Sequence, residues 1–316
     1  MKWLPFQLLM PGGKRAKHQV LIFHRVLGAP DQMMPSEPCQ EEFDLLVGTL
    51  KRFYNILPLS DAIERVKQGT LPSASLSITF DDGYADNYTH ALPILERHEA
   101  PATFFVATAF LDGGRMWNDT LIETARRLPD GEVKLPFGSR ETSIISSMDD
   151  RRSFAQLAID YCKYLPISER EERASEFAAL QNNELPTSLM MSSEQVRTMA
   201  TSDYAEIGAH TRNHPILAEC NDQEAEKEIA DSVRDLTHLL GRQPKLFAYP
   251  NGKLNKDYLQ NQTRFVVKAG LKAAVTTDWG VLDRNTDLMQ IPRFSPWKKS
   301  PKRFVFDLLR ARYGIL

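Results

Sequence analysis

Leu76-Ser77-Ile78-Thr79-Phe80-Asp81-Asp82-Gly83-Tyr84 reads as a short apolar strand that runs into two adjacent carboxylates and a glycine. Leu76, Ile78 and Phe80 recur at period two, which suits a pleated surface. Two neighbouring acids at a strand end repel each other unless a cation sits beside them. A metal ion is one such cation, with one carboxylate as its ligand and the other as a base. Gly83 lets the chain turn without a Cβ clash. The plainer alternative is a solvated Asp-Asp-Gly turn, since Asp-Gly is a common turn pair.

Outward from this stretch, strands and helices alternate. Gln19 to His24 reads as a buried strand ending in a histidine. Glu41 to Tyr54 has helical spacing, with Phe43, Leu46, Val47 and Leu50 on one face. Ser60 is placed to cap a helix running to about Lys67. Ala85 to His98 is expected as a helix, with Pro93 an obstacle in its middle. Ala102 to Ala107 is a further buried strand. From Met116 to about Ser193 the rhythm lapses. That stretch holds an expected helix from Trp117 to Arg127 capped by Asn118 or Asp119, a small hairpin around Phe137-Gly138-Ser139, and two polar-rich helices, Arg151–Tyr164 and Ser168–Leu180. It reads as an inserted cap. Strands resume at Tyr204–Gly208, Lys245–Ala248 and Ala273–Thr276, with helices at Glu224–Leu240, stopped by Gly241, and at Leu259–Ala269.

This alternation argues for an α/β parallel sheet or barrel, in which ligands bind at the carboxyl ends of strands. The polar candidates follow that rule. His24, Asp81 with Asp82, His210, Tyr249 and Asp278 each come just after a strand. His210-Thr211-Arg212-Asn213-His214 sets two imidazoles four residues apart, a spacing that brings both onto one metal. Thr211 stands where a zincin has its glutamate base, so the base must come from elsewhere, and Asp81 or Asp82 is available. Two histidines and one carboxylate suit a catalytic zinc with an open position for water, and equally iron, cobalt or nickel.

Composition narrows the field. The 316 residues are 42% hydrophobic and 25% charged with a net charge of −2, which gives ample core and no general case for nucleic-acid binding. Cys39, Cys162 and Cys220 are too scattered for a CxxC pair or a disulfide framework, so a reducing compartment is expected. No apolar run approaches about 18 residues, and Met1 to Met10 is broken by Pro5 and Gln7 with no cleavage site after it. The expected location is the cytoplasm. The basic, amphipathic segment from Trp297 to Tyr313 offers peripheral contact with the inner membrane face, or simply a helix packed on the barrel.

Thr79-Phe80-Asp81-Asp82-Gly83 and His210-Thr211-Arg212-Asn213-His214 resemble the first two motifs of the polysaccharide deacetylases, carbohydrate esterase family 4. The resemblance spans about residues 18 to 296, excluding the insert. It implies a distorted (β/α) barrel with a mainly helical insert: core at about 18–115 and 194–296, cap at about 116–193, and a basic C-terminal helix at about 300–314. It also implies a hydrolase that removes acetyl groups from N-acetylated sugars. Asp81 takes the family's role of general base, while Asp82, His210 and His214 take those of metal ligands, with zinc first among the metals.

The later motifs match less closely. Phe247-Ala248-Tyr249-Pro250-Asn251-Gly252 has the third motif's turn without its arginine, and resembles a branch that includes the biofilm poly-N-acetylglucosamine deacetylases. By that resemblance Tyr249 marks a backbone oxyanion donor. Thr277-Asp278-Trp279-Gly280 resembles the fourth motif, so Asp278 and Trp279 are expected to bind substrate. No histidine follows His238. The same branch is circularly permuted, with its proton-donating histidine on the first strand, and Leu21-Ile22-Phe23-His24 fits that arrangement. His24 is therefore the expected general acid, and Arg293 the candidate to replace the missing orienting arginine. A noncatalytic carbohydrate-binding protein and an esterase or amidase on another acyl-sugar are the competing readings.

Overall fold

Parallel strands need crossovers, and the chain supplies a helix for most of them. The computed structural model describes residues 4–138, 142–295 and 300–315. Its strands are β1 (Gln19–Phe23), β2 (Asn55–Ile56), β3 (Ser75–Phe80), β4 (Ala102–Val106), β5 (Gly131–Lys134), β6 (Thr142–Ile145), β7 (Ala205–Ala209), β8 (Leu246–Ala248) and β9 (Ala273–Val275). Its helices are α1 (Leu4–Leu9), α2 (Gln40–Phe53), α3 (Leu59–Gln68), α4 (Leu92–Arg97), α5 (Trp117–Arg126), α6 (Met148–Cys162), α7 (Ile167–Ala178), α8 (Ser193–Met199), α9 (Asp222–Leu240), α10 (Thr263–Lys268) and α11 (Pro301–Arg312). Seven parallel strands form one curled sheet in the order β1-β3-β4-β7-β8-β9, with β2 paired to the start of β3.

The ring between β9 and β1 is sealed by an irregular segment. Ile291 bridges Val275, and Phe294 bridges Leu21. The Ile22 N–H donates to the Phe294 carbonyl at 2.8 Å, and the Phe294 N–H to that of Val20 at 2.7 Å. Pro292 lies between these bridges and has no N–H to give, so no regular strand forms there. This is what distorts the barrel.

Alternate strand residues build two layers. Leu21, Phe23, Ile78, Phe80 and Phe104 pack against α2, α4 and α9. Val20, Phe105, Ala248 and Val275 pack inward on Ile291 and against α3. Phe80 stacks between Phe23 and Phe104, with ring centroids 5.4 and 5.0 Å away, and Phe43 of α2 meets it edge-on at 5.6 Å.

Local signals held at some positions and not at others. Asn221 caps α9, and Gly241 ends it at φ +67°. Ser60, expected as a cap, sits inside the first turn of α3, which starts after Pro58. The cap of α5 is the backbone of Met116, with neither Asn118 nor Asp119 in that role. The expected helix from Ala85 to His98 is present as continuous helical backbone from Ala85 to Arg97, widened to a π-turn at Asn87–Ala91 just before α4. Pro93 falls directly after the π-turn, and its missing N–H removes a donor to the preceding helical turn, which accounts for the widened turn there.

The stretch from Met116 to Ser193 carries the antiparallel β5–β6 hairpin and α5 to α7 around a separate apolar cluster, with Trp117, Leu121, Phe154 and Phe177 at its centre. Ser139 of the expected hairpin turn lies outside the described residues, as do Met1 to Trp3 and Trp297 to Lys299. No helix among the described residues is long and apolar enough to cross a membrane. The two ends of the described chain meet at the N-terminal ends of the strands. There the Gln19 side chain donates to the Leu308 carbonyl, Arg312 to that of Lys17, and Tyr313 to that of Leu9.

The aromatic stack yields a test of the core. Phe104 is fully buried between sheet neighbours, so Phe104→Ala should cost about 3–5 kcal/mol of unfolding free energy. Chemical denaturation followed by circular dichroism should show a lower midpoint with native secondary structure retained in buffer. A loss below about 1 kcal/mol would contradict this packing.

Candidate functional site

Asp81 and Asp82 leave β3 at the mouth of the barrel and separate at once. Asp82 has φ +75°, a left-handed conformation that few non-glycine residues adopt, and Gly83 follows at φ +90°. A Cβ on Gly83 would lie 3.1 Å from the Val106 side chain, so the turn is both strained and crowded. The two carboxylates consequently find different partners.

Asp81 meets Arg293 on the segment that closes the barrel. Arg293 Nη1 and Nη2 donate to Asp81 Oδ1 and Oδ2, each at 2.7 Å. The same guanidinium donates to the Thr276 carbonyl at 2.8 Å and to Thr79 Oγ1 at 3.1 Å. Both residues are buried. Burial alone would raise the Asp81 carboxyl, but the positive charge of Arg293, then that of His210, holds it below the usual carboxylate range. Asp81 is therefore an ionised, oriented carboxylate at neutral pH.

Asp82 meets the two histidines. His210 Nδ1–H donates to the Ala248 carbonyl at 2.7 Å, which leaves Nε2 as a bare lone pair. Nε2 of His210 and Nε2 of His214 each lie 3.3 Å from Asp82 Oδ1. The three ligand atoms fall within 4.8 Å of one another. Asp82 Oδ1 is buried and has no hydrogen-bond partner. Burial pushes His214 down to about 3, so its ring is neutral. Burial would lower His210 too, but Asp81 and Asp82 outweigh it and raise that ring. A buried carboxylate oxygen with no hydrogen-bond partner, close to the Nε2 atoms of two imidazoles, is a donor set that can hold a divalent transition metal.

The loop that carries His214 is held from two sides. Thr211 and His214 have φ of +61° and +50°. Glu228 of α9 accepts from the N–H groups of Arg212 and Asn213 at 3.0 and 2.8 Å, and from the Asn213 side chain at 2.6 Å. Arg170 of α7 reaches out of the insert and donates to the carbonyls of Asn213 and His214, both at 3.3 Å. It is 1% exposed and lies over the Trp117 ring. The sequence reading missed Glu228 and Arg170, because both sit in charged helical stretches that look solvent-facing.

A cavity of about 740 Å³ joins these groups, and His24, Asp81, Asp82, His210, His214 and Trp279 all line it. Trp279 is 62% exposed, so it forms an open wall and is no part of the core. Two expectations are corrected. The Tyr249 N–H cannot serve as an oxyanion donor, because it is consumed by the Val275 carbonyl at 3.2 Å, and its ring stacks on Tyr258 away from the cavity. Asp278 does not line the cavity. Its carboxylate faces the Leu254 N–H at 3.5 Å, where it braces the turn after β8. Asn251, two residues beyond Tyr249 and at φ +56°, lines the cavity instead. The sequence held a signal for it: Pro250 has no N–H, so the next amide in the turn is that of Asn251.

The profile of the polysaccharide deacetylase family matches residues 68–134 and 161–270, more than half of the chain, and its gap falls in the insert. YxkH of Bacillus subtilis (strain 168), named as a polysaccharide deacetylase, is 22% identical over 282 residues, covering 89% of this chain and 71% of that one. Among solved structures, the Streptococcus pyogenes deacetylase PplD in complex with acetate matches with a TM-score of 0.62 at 18% identity, covering 92% of this chain and 97% of that one. IcaB from Ammonifex degensii matches with a TM-score of 0.61 at 18% identity, covering 96% and 98%. The likeness to these structures shows a shared (β/α) barrel fold.

Metal uptake tests the site. His210→Ala should abolish stoichiometric zinc binding in calorimetric titration. Arg170→Met should weaken it about 10–100-fold by freeing the His214 backbone. Wild-type affinity in His210→Ala would refute the donor set.

Proposed function

The chain belongs to the polysaccharide deacetylase family, and on that premise we propose that it is a metal-dependent hydrolase that removes acetyl groups from the N-acetylated sugars of a polysaccharide, oligosaccharide or lipid-linked glycan. The observation that carries this reading is the division of labour between adjacent carboxylates. Asp81 is clamped by Arg293, and Asp82 is aimed at two imidazoles, in one cavity. A protein that only bound glycans would need no ionised base buried beside a metal site.

Asp82, His210 and His214 would hold the ion, with zinc the first candidate. When bound, such an ion supplies Lewis acidity and an acidified water. Asp81 takes the proton of the attacking water, kept ionised and in place by Arg293. Asn251 lines the cavity, no acceptor among the described residues takes its N–H, and that N–H would donate to the oxyanion that develops on the acetyl oxygen. Trp279 walls the acetyl methyl. His24, which also lines the cavity, donates a proton to the sugar nitrogen as the C–N bond breaks. Acetate and a free amine leave.

Acetate release from N-acetylglucosamine oligomers, before and after chelation, tests this reading. Wild-type protein should release acetate in a chelator-sensitive way. Asp81→Asn should lose about 10²–10⁴-fold in turnover while still binding metal. Metal binding without any acetate release would overturn the deacetylase assignment.

We further propose that the basic helix α11 contacts an anionic membrane surface. Phe304, Val305 and Leu308 are buried in the core, which leaves Lys302, Arg303, Phe306 and Tyr313 outward, with Leu8 and Leu9 exposed beside Tyr313. Basic groups around exposed apolar side chains suit an anionic interface. The protein should co-sediment with phosphatidylglycerol vesicles in low salt, and Arg303→Glu with Phe306→Ser should abolish this. Sedimentation that is absent, or that the double substitution leaves unchanged, would show that the helix only packs on the barrel.

A further inference from the structure

The cavity has a wall that the catalytic groups do not use, and the insert builds it. Asn118, Asp119 and Ile122 of α5 face it together with Arg152, Gln156 and Ile159 of α6. Asp119 stands out among them. It is 1% exposed, so its carboxyl is out of water although it borders the cavity. Tyr84 Oη donates to Asp119 Oδ1 at 3.2 Å. Asp119 Oδ2 has no hydrogen-bond partner among the described residues. The Arg25 guanidinium acts on it electrostatically but does not complete it. Arg25 lies over the Tyr84 ring, and its Nε is committed to Asp86 at 2.8 Å.

Buried carboxylate oxygens are normally paired, and an unpaired one is a standing cost to the fold. Burial pushes the Asp119 carboxyl up to about 7, which is the signature of that cost. Tyr84 fixes one oxygen, and Tyr84 is itself set by the turn that follows Asp81 and Asp82. The second oxygen is thus oriented by the same strand end that orients the base. Met33, Pro35, Ile122 and Ile159 add apolar lining to the same cavity. An apolar surface with one fixed acceptor is how a pocket reads a pyranose, whose ring face is apolar and whose rim carries hydroxyls.

We propose that Asp119 is a substrate-binding residue whose free oxygen accepts a hydrogen bond from a ring hydroxyl of the acylated sugar, so that the insert contributes the specificity of the site. This rests on the deacetylase reading for the identity of the sugar. A site built to pair a hydroxyl discriminates strongly against a ligand that lacks it, because its own buried group is then left unpaired.

The test uses the metal-loaded full chain and the N-acetylglucosamine trimer with its 3-deoxy and 6-deoxy analogues. Asp119→Ala should raise KM about tenfold or more with kcat, metal content and thermal midpoint little changed. Asp119→Asn, which keeps an acceptor oxygen, should recover part of the loss. One deoxy analogue should be about tenfold poorer than the parent for wild type and equal to it for Asp119→Ala. A wild-type KM in folded Asp119→Ala, or a deoxy penalty that survives the substitution, would overturn the proposal. Should wild type release no acetate, the deacetylase reading falls first. Calorimetric binding of the same trimer then decides Asp119 on its own: affinity about tenfold weaker in Asp119→Ala supports it, and equal or absent binding overturns it.

Discussion

The ion pair between Asp81 and Arg293 is the contact on which the rest of the molecule depends. The two residues are 212 positions apart, yet both guanidinium Nη atoms meet both carboxylate oxygens. Arg293 belongs to the short segment that closes the barrel between β9 and β1, so the same segment seals the sheet and keeps Asp81 ionised. Losing either partner would leave the other charge buried and alone, which costs about 3–5 kcal/mol in comparable cases. The pair also resolves the electrostatic difficulty posed by two consecutive acids. One is neutralised within the protein, and the other is left for a cation.

That arrangement is strained at the mouth and well packed beneath it. Asp82, Thr211, His214 and Asn251 all hold positive φ. Such conformations cost roughly 1–3 kcal/mol each for ordinary side chains and persist only where the surroundings over-determine them. The Phe23-Phe80-Phe104 stack lies directly below Asp81 and Asp82 on the same strands. Glu228 and Arg170 grip the loop of His214 from opposite sides. Rigidity in the barrel and in the insert thus holds these residues in positions that their own backbone disfavours.

Much of this was legible in the sequence, for reasons that can be stated residue by residue. Strands that end in polar residues placed Asp81, Asp82, His24 and His210 at one end of the barrel, because period-two apolar runs mark strands and the carboxyl ends of parallel strands converge. Arg293 was a candidate only because an expected arginine was missing elsewhere. Tyr249 failed because its amide belongs to the pairing of β8 with β9, and strand register cannot be read from one chain. Asp278 failed because position after a strand does not fix which way a side chain turns. Asp119 was read only as a candidate helix cap, and Arg170 gave no signal. They lie in helices whose charge pattern looks solvated, and their burial arises only when the insert folds back over the mouth.

The meeting of the two chain ends beneath the barrel has a consequence for orientation. Catalysis is assigned to the carboxyl ends of the strands, whereas α1 and the end of α11 close the opposite base. Anything that ties the molecule down by its base would point its mouth outward. Strands of five residues set a barrel height of about 17 Å. A glycan rooted in the same surface would have to extend past that height and bend back before its acetylated sugars could enter. A polymer arriving from the other side would enter directly. The fold thereby imposes a direction of approach on its substrate.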